Sequence, residues 1–234
     1  MWIDQHPRRG LDNFNIESFQ SADALQKLLS RFDFGLGNDS WIEEQSYIFG
    51  TLYYGEIFKF IQLLLTHLRF QVHLDFEPVR LAHSESHRIY SEMHTGNWWW
   101  DTQDQLPAGA MIVPVICAFD KTHLTNFPGD EHASPLYRTI SNIRKDICCT
   151  AIIRTWNPVG LIPCAPKGAK NTDEAWSSSV GTVLSPLRNL DISTPGLIWD
   201  CADGFQRQCY PHLAACVGDY PEQVMVAQVS YGPS

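Results

Sequence analysis

Ala110-Met111-Ile112-Val113-Pro114-Val115-Ile116-Cys117-Ala118, running into Phe119-Asp120-Lys121-Thr122, is the stretch on which the fold turns. Pro107-Ala108-Gly109 punctuates its start and a polar turn its end. An apolar run between two such breaks predicts a strand buried on both faces. A strand of that kind carries the carboxylate of Asp120 to its end. Downstream, residues 136–141 alternate and predict a second strand, and residues 150–156, extended through 159–162, a third. A Pro/Gly/Lys loop over 163–171 precedes a helix from about residue 174 to residue 190, with Thr172 or Asp173 as its cap. Trp176, Val180, Val183, Leu184 and Leu187 fall on one side of that helix, and Pro186 weakens its last turn. Residues 197–199 and 206–210 predict a hairpin around Ala202-Asp203-Gly204. Residues 213–217 predict a fourth core strand, with Asp219 just beyond it and a final helix opened by Pro221.

Three strands joined by short loops favour antiparallel neighbours, and a helical crossover favours a parallel fourth strand. That order predicts an α/β fold: a ribonuclease-H-like mixed sheet of three antiparallel strands plus a parallel fourth. In such a sheet the first and fourth strands are adjacent, so Asp120 and Asp219 meet at their ends. Upstream, residues 1–18 read as a flexible lead-in and residues 19–105 as an N-terminal helical region. One helix is predicted over 21–32, with Leu25, Leu28, Leu29 and Phe32 at helical spacing, and a longer one over 45–68, with Phe49, Leu52, Ile57, Phe60, Ile61 and Leu64. Residues 106–234 are read as the core domain that holds this sheet.

The chain has 234 residues, 44% hydrophobic and 18% charged, which predicts a packed core rather than disorder. Its net charge of −9 argues against strong autonomous nucleic-acid binding, which draws on clustered Lys and Arg. The seven cysteines form no C-x-x-C pair and lie largely in apolar runs, as small core hydrophobes of a reducing compartment do. Residues 1–10 are polar and basic, without a secretion signal, and the longest apolar tract, 57–65, is interrupted by Lys59 and Gln62. The expectation is a nuclear or cytoplasmic protein with no membrane partner.

Two carboxylates at neighbouring strand ends suit divalent-metal phosphoryl transfer, because Mg2+ takes a few carboxylate oxygens and keeps several waters. Solvent-facing aspartates that merely end two strands are the plainer reading. Trp98-Trp99-Trp100 offers rings for stacking on unpaired bases, or an aromatic cluster at a helix-to-sheet junction. Arg138, Arg144, Lys145 and Arg154, with Lys167 and Lys170, offer a phosphate-binding edge or a charged, solvated sheet edge. His83 and His87, four apart with His94 nearby, offer part of a zinc site if they share a helix face; ordinary surface histidines fit as well. Asp200 and Asp203 are the reserve acids. No phosphate loop, dinucleotide fingerprint or nucleophile elbow occurs.

Tyr90-Ser91-Glu92-Met93, Thr95-Gly96-Asn97-Trp98-Trp99-Trp100, Leu106-Pro107, Ile112-Val113-Pro114-Val115-Ile116, Asp120-Lys121-Thr122, Gly129-Asp130 and Asn142-Ile143 closely resemble the Plavaka-type transposases of fungal DNA transposons, relatives of the CACTA (En/Spm-like) elements. Leu74-Asp75-Phe76-Glu77-Pro78 and Gly218-Asp219-Tyr220-Pro221-Glu222-Gln223 look like further blocks of the same family. The resemblance implies a DDE-type enzyme that cuts and joins transposon-end DNA with Mg2+ or Mn2+, and that self-associates. It implies Asp120 as the first catalytic and metal-binding acid and Asp219 as the second, with Arg138, Arg144, Lys145, Trp98 and Trp99 toward DNA. Phe119 departs from the small polar residue expected before the first acid, and Cys148-Cys149 from a basic segment. No third acid is evident, and Glu222, three residues from Asp219, is a poor substitute. The expectation is a truncated transposase, inactive alone; the rival is a non-catalytic remnant that binds protein.

Overall fold

The computed structural model describes residues 41–47, 50–84, 87–119, 122–123, 132–150, 155–165, 168–190 and 192–227. Strand β1 (Trp41–Tyr47) pairs antiparallel with β2 (Gly50–Gly55), and a small hairpin follows from β3 (Leu81–Ser84) and β4 (His87–Ile89). The long strand β5 (Ala110–Phe119) comes next, then β6 (Thr122–His123), β7 (His132–Ile140) and β8 (Asn157–Pro163). β9 (Leu197–Asp200) and β10 (Gln206–Val217) complete the set. Helices α1 (Ile57–Thr66), α2 (Asn97–Gln103), α3 (Lys145–Cys148), α4 (Thr172–Asn189) and α5 (Tyr220–Ala227) fill the connections.

Eight strands form one mixed sheet in the order β1-β2-β8-β7-β5-β10-β9, with β6 beside β7. The expected core is present: β5, β7 and β8 are antiparallel neighbours, and β10 runs parallel to β5 on its other side. The crossover that makes this pair parallel contains α4, in keeping with the rule that parallel neighbours need a long connection. β5 is nearly continuously buried because both faces are covered. Met111, Val113, Val115, Cys117 and Phe119 pack with α1 and α4 in the main core, whereas Ala110 and Ile112 pack with Trp99, Leu106 and Tyr210 in a second, smaller one. The alternation of strand side chains assigns these two sets to opposite faces.

Three expectations are corrected. The third strand, read over 150–156 and extended through 159–162, is β8, Asn157–Pro163; residues 150, 155 and 156 are outside it. The helix foreseen over 45–68 begins only at Ile57; residues 41–47 and 50–55 are strands, and β2 joins the sheet through Tyr53↔Leu161 and Tyr54↔Gly160. Gly50 adopts φ 142°, a conformation outside the helical region, and so breaks the apolar pattern there. Residues 206–217 form one strand rather than a hairpin arm and a separate strand: residues 206–209 pair with β9 and residues 208–217 with β5. The helix predicted over 21–32 lies outside the described residues.

Candidate functional site

The parallel β5–β10 pair sets the strand-end geometry. Val217 stands level with Ala118, so each chain has one residue to run, Gly218 and Phe119, before Asp219 and Asp120. Asp219 is exposed at this edge; Asp120 lies outside the described residues. A Cβ on Gly218 would stand 3.7 Å from the Phe119 carbonyl oxygen and 2.9 Å from the Glu222 Cβ, so the two strand ends and α5 converge within van der Waals contact. Phe119, where a small polar residue was expected, is buried against Trp176 of α4 with ring centroids 5.0 Å apart. Its role is to fasten the end of β5 to the helical layer.

Glu222, three residues after Asp219, is placed by the fold of α5 rather than by the strand. It lies in the first turn of α5, is only 6% exposed, and its Oε2 has no hydrogen-bond partner. The Gln223 side chain donates to the Gly218 carbonyl at 2.7 Å and its N–H to the Asp219 carbonyl at 2.9 Å, which ties the helix start to the strand exit. A buried carboxylate oxygen without a donor is a group that a cation satisfies. The signal available in the sequence was the helix N-terminus itself, where acidic side chains are favoured.

The basic and aromatic candidates divide. Arg138 is fully buried, so it presents no phosphate-binding edge: its guanidinium lies over the Phe60 ring at 4.9 Å, and Nε and both terminal nitrogens lack hydrogen-bond partners. Burial pushes its pKa down to about 9, against a smaller opposing effect of Cys117. The cause is position, since Arg138 pairs with Cys117 on β5 and with buried Asn157 on β8, in the middle of the sheet. Arg144 is exposed and lies 3.6 Å from the Asp146 carboxylate, while the exposed Lys145 donates its N–H to Glu92 Oε2 at 3.0 Å. Arg154 and Lys167 fall outside the described residues, and Lys170 is exposed. Trp99 is 0% exposed and therefore closed to base stacking, whereas Trp98 is 37% exposed and Trp100 carries Arg80 over its ring at 4.8 Å.

The reserve acids do not reach the strand-end site. Asp200 pairs with Gln206 at the opposite end of β10, about 35 Å from Val217 by the rise of a strand. Asp203 makes a bidentate pair with Arg207 at 2.8 and 2.7 Å. The histidines do not share a helix face, because His83 and His87 lie on the two strands of the β3–β4 hairpin. His94 instead meets two acids distant in sequence. One ligand atom each from Asp75, Glu92 and His94 lies within 4.8 Å of the others, and His94 Nδ1 is 3.4 Å from Asp75 Oδ2. Burial is the main cause that raises the Asp75 carboxyl pKa, with His94 opposing it.

The fold defines an α/β protein built on one mixed sheet with a parallel pair, β5 and β10, inside it. A family model described as Plavaka transposase matches residues 37–234, and the chain belongs to that family. No curated protein and no solved structure matches it. Among the described residues, no helix is long and apolar enough to cross a membrane.

Proposed function

We propose that this chain carries the first two acids of a ribonuclease-H-like, DDE-type transposase core, and that Asp120 and Asp219 hold Mg2+ or Mn2+ against transposon-end DNA. The observation that carries the reading is the parallel register of Val217 with Ala118, which brings Gly218 and Phe119, the residues that precede the two acids, to the same level of the sheet. The donor chemistry fits a hard divalent ion, since these are carboxylates and the buried Glu222 Oε2 beside them lacks a partner. When bound, such an ion supplies Lewis-acid stabilisation of a phosphodiester's charge.

The chain's own residues do the positioning. Phe119 against Trp176 fixes where β5 ends, Gly218 allows β10 to pass close to that end, and Glu222 seals the floor. Exposed Asp219 faces solvent, where a nucleic-acid backbone has access. Exposed Arg144, Lys145 and Trp98 remain for DNA contact, and the nucleus is where such an activity meets its substrate. The test is cleavage of transposon-end DNA with Mg2+ or Mn2+, comparing the chain with Asp120→Ala and Asp219→Ala. Equal activity in all three would sink the assignment.

A second reading, a non-catalytic interaction module that also self-associates, draws on β9. This outermost strand of the described sheet carries Ile198 exposed, with Phe205 exposed in the turn beyond it. It predicts a chain that shows no metal-dependent cleavage and a self-association that Ile198→Lys abolishes.

A further inference from the structure

We infer that Asp75, Glu92 and His94 form a binding site for a transition-metal ion of the zinc class, separate from the strand-end acids and independent of their proposed role. The separation follows from the sheet. Asn142 bonds through Nδ2 to the Asp75 carbonyl at 3.0 Å and to the Ile112 carbonyl at 3.4 Å. Ile112 is seven residues before Phe119 on β5, so about 23 Å divides the two places.

Each donor is held by the backbone around it. The Asp75 N–H donates to the Asn142 carbonyl at 2.8 Å. Glu92 precedes the 3-10 turn Met93–Thr95, in which the Thr95 hydroxyl donates to the Glu92 carbonyl at 2.7 Å. The His94 ring stands edge-on to Trp99, centroids 6.3 Å apart at 88°, and the His94 carbonyl accepts the Val79 N–H at 3.0 Å. Two segments distant in sequence therefore converge before any ion is considered.

The spacing suits an ion. Bonds of about 2.1 Å in a tetrahedral site put neighbouring ligand atoms about 3.4 Å apart. His94 Nδ1 and Asp75 Oδ2 already have that separation, and the outer limit of 4.8 Å for the trio closes with a side-chain adjustment of about 1 Å. One imidazole with two carboxylates selects a zinc-class ion over Mg2+ or Ca2+, which prefer all-oxygen shells.

The unpaired atoms point the same way. Asp75 Oδ2 and His94 Nδ1 are both closed to solvent, and neither makes a hydrogen bond. Asn142, fully buried and pinned to the Asp75 carbonyl, leaves its Oδ1 without a partner, and so does His73 at Nδ1, two residues before Asp75. Buried polar atoms in such a concentration call for an ion or ordered water. With three protein ligands the ion keeps a fourth position for water, and it staples the segment carrying Asp75 to the turn carrying Glu92 and His94.

The experiment titrates the full chain with Co2+ alone, under reducing conditions, by calorimetry and visible absorption. The expected result is one Co2+ per chain with a d–d spectrum of oxygen and nitrogen ligation, at least tenfold weaker in Asp75→Asn and in His94→Gln and unchanged in Asp219→Asn. Absence of binding overturns the proposal. So does a thiolate-to-metal charge-transfer band, or affinity that survives both variants. Should the variants unfold, the wild-type chain decides alone: bound Co2+ shifts the Trp99 indole resonance if the site is real, and a resonance unmoved at saturation overturns it.

Discussion

Gly218 lies so close to Glu222 that a Cβ added at position 218 would stand 2.9 Å from the Glu222 Cβ, inside any normal carbon contact. The neighbour is the stem of a helix residue rather than the free end of a side chain, so α5 must lift from the strand exit. Gly218→Ala is expected to destabilise the chain by about 1–3 kcal/mol, the usual cost of overpacking. A shift in the urea midpoint without a change in slope measures it. An unchanged midpoint would mean that α5 does not sit over the strand exit.

Arg138 is a buried charge without a hydrogen-bonding partner, relieved only by the face of Phe60. Replacing such a charge by an apolar side chain of similar volume is often neutral or stabilising, by up to about 4 kcal/mol. Arg138→Met is therefore expected to equal or exceed the wild type in thermal stability, while Arg138→Ala loses by leaving a cavity. The pH dependence has a definite sign. The folded pKa is lowered to about 9 from its higher ordinary value, so between the two the unfolded chain holds more protons and stability rises with pH. Below about 9 the cost of burying the charge is fully present. The wild-type minus Met-variant difference should narrow above pH 9; a difference flat with pH would refute the assignment.

Adjacent tryptophans of α2 should respond in opposite ways. Trp99 is fully buried in the smaller core, so Trp99→Ala is expected to cost about 3–5 kcal/mol. Trp98 is partly exposed, and Trp98→Ala should stay within about 0.5 kcal/mol. Chemical denaturation reads both. If Trp98 meets DNA, Trp98→Ala weakens binding to single strands while its stability stays level; the reverse pattern would assign the ring to packing.

What the sequence disclosed follows from which signals are local. β5 was legible because one apolar run between Pro107 and Asp120 admits little besides a buried strand, and its parallel partner followed from the helix between them. β1 and β2 were not, because Phe49 and Leu52, like Ile57, Phe60 and Ile61, fit a helical spacing, whereas the backbone of Gly50 and the pairing with β1 and β8 make the segment extended. Asp219 was legible as a strand-end acid, whereas the burial of Glu222 depends on how α5 folds back over Gly218. Arg138 misled for a similar reason: a charge in a strand suggests an edge, but β7 lies inside the sheet. Asp75, Glu92 and His94 have no metal-ligand spacing along the chain, since Asp75 is brought to the turn carrying the other two beside the Leu74↔Ile143 bridge.

Arg207 joins two parts of the fold that are distant in sequence. Its guanidinium lies 3.7 Å from the Phe76 ring centroid and makes the bidentate pair with Asp203 in the β9–β10 turn. A lysine keeps the charge but loses the fork and the flat stacking surface, so the exchange is not conservative here. Arg207→Lys is expected to cost about 1–2 kcal/mol, and Asp203→Asn a similar or smaller amount, with the double variant costing less than their sum. The Arg207 hydrogen bonds hold the Asp203 carboxyl below its ordinary 3.8, so the unfolded chain takes up that proton first as pH falls. The pair's contribution is then present above pH 3.8 and is lost as pH falls through the lowered folded value. Acid titration of the unfolding free energy should show a shallower fall below pH 4 in Asp203→Asn than in the wild type. Identical slopes would show that the pair contributes nothing to acid sensitivity.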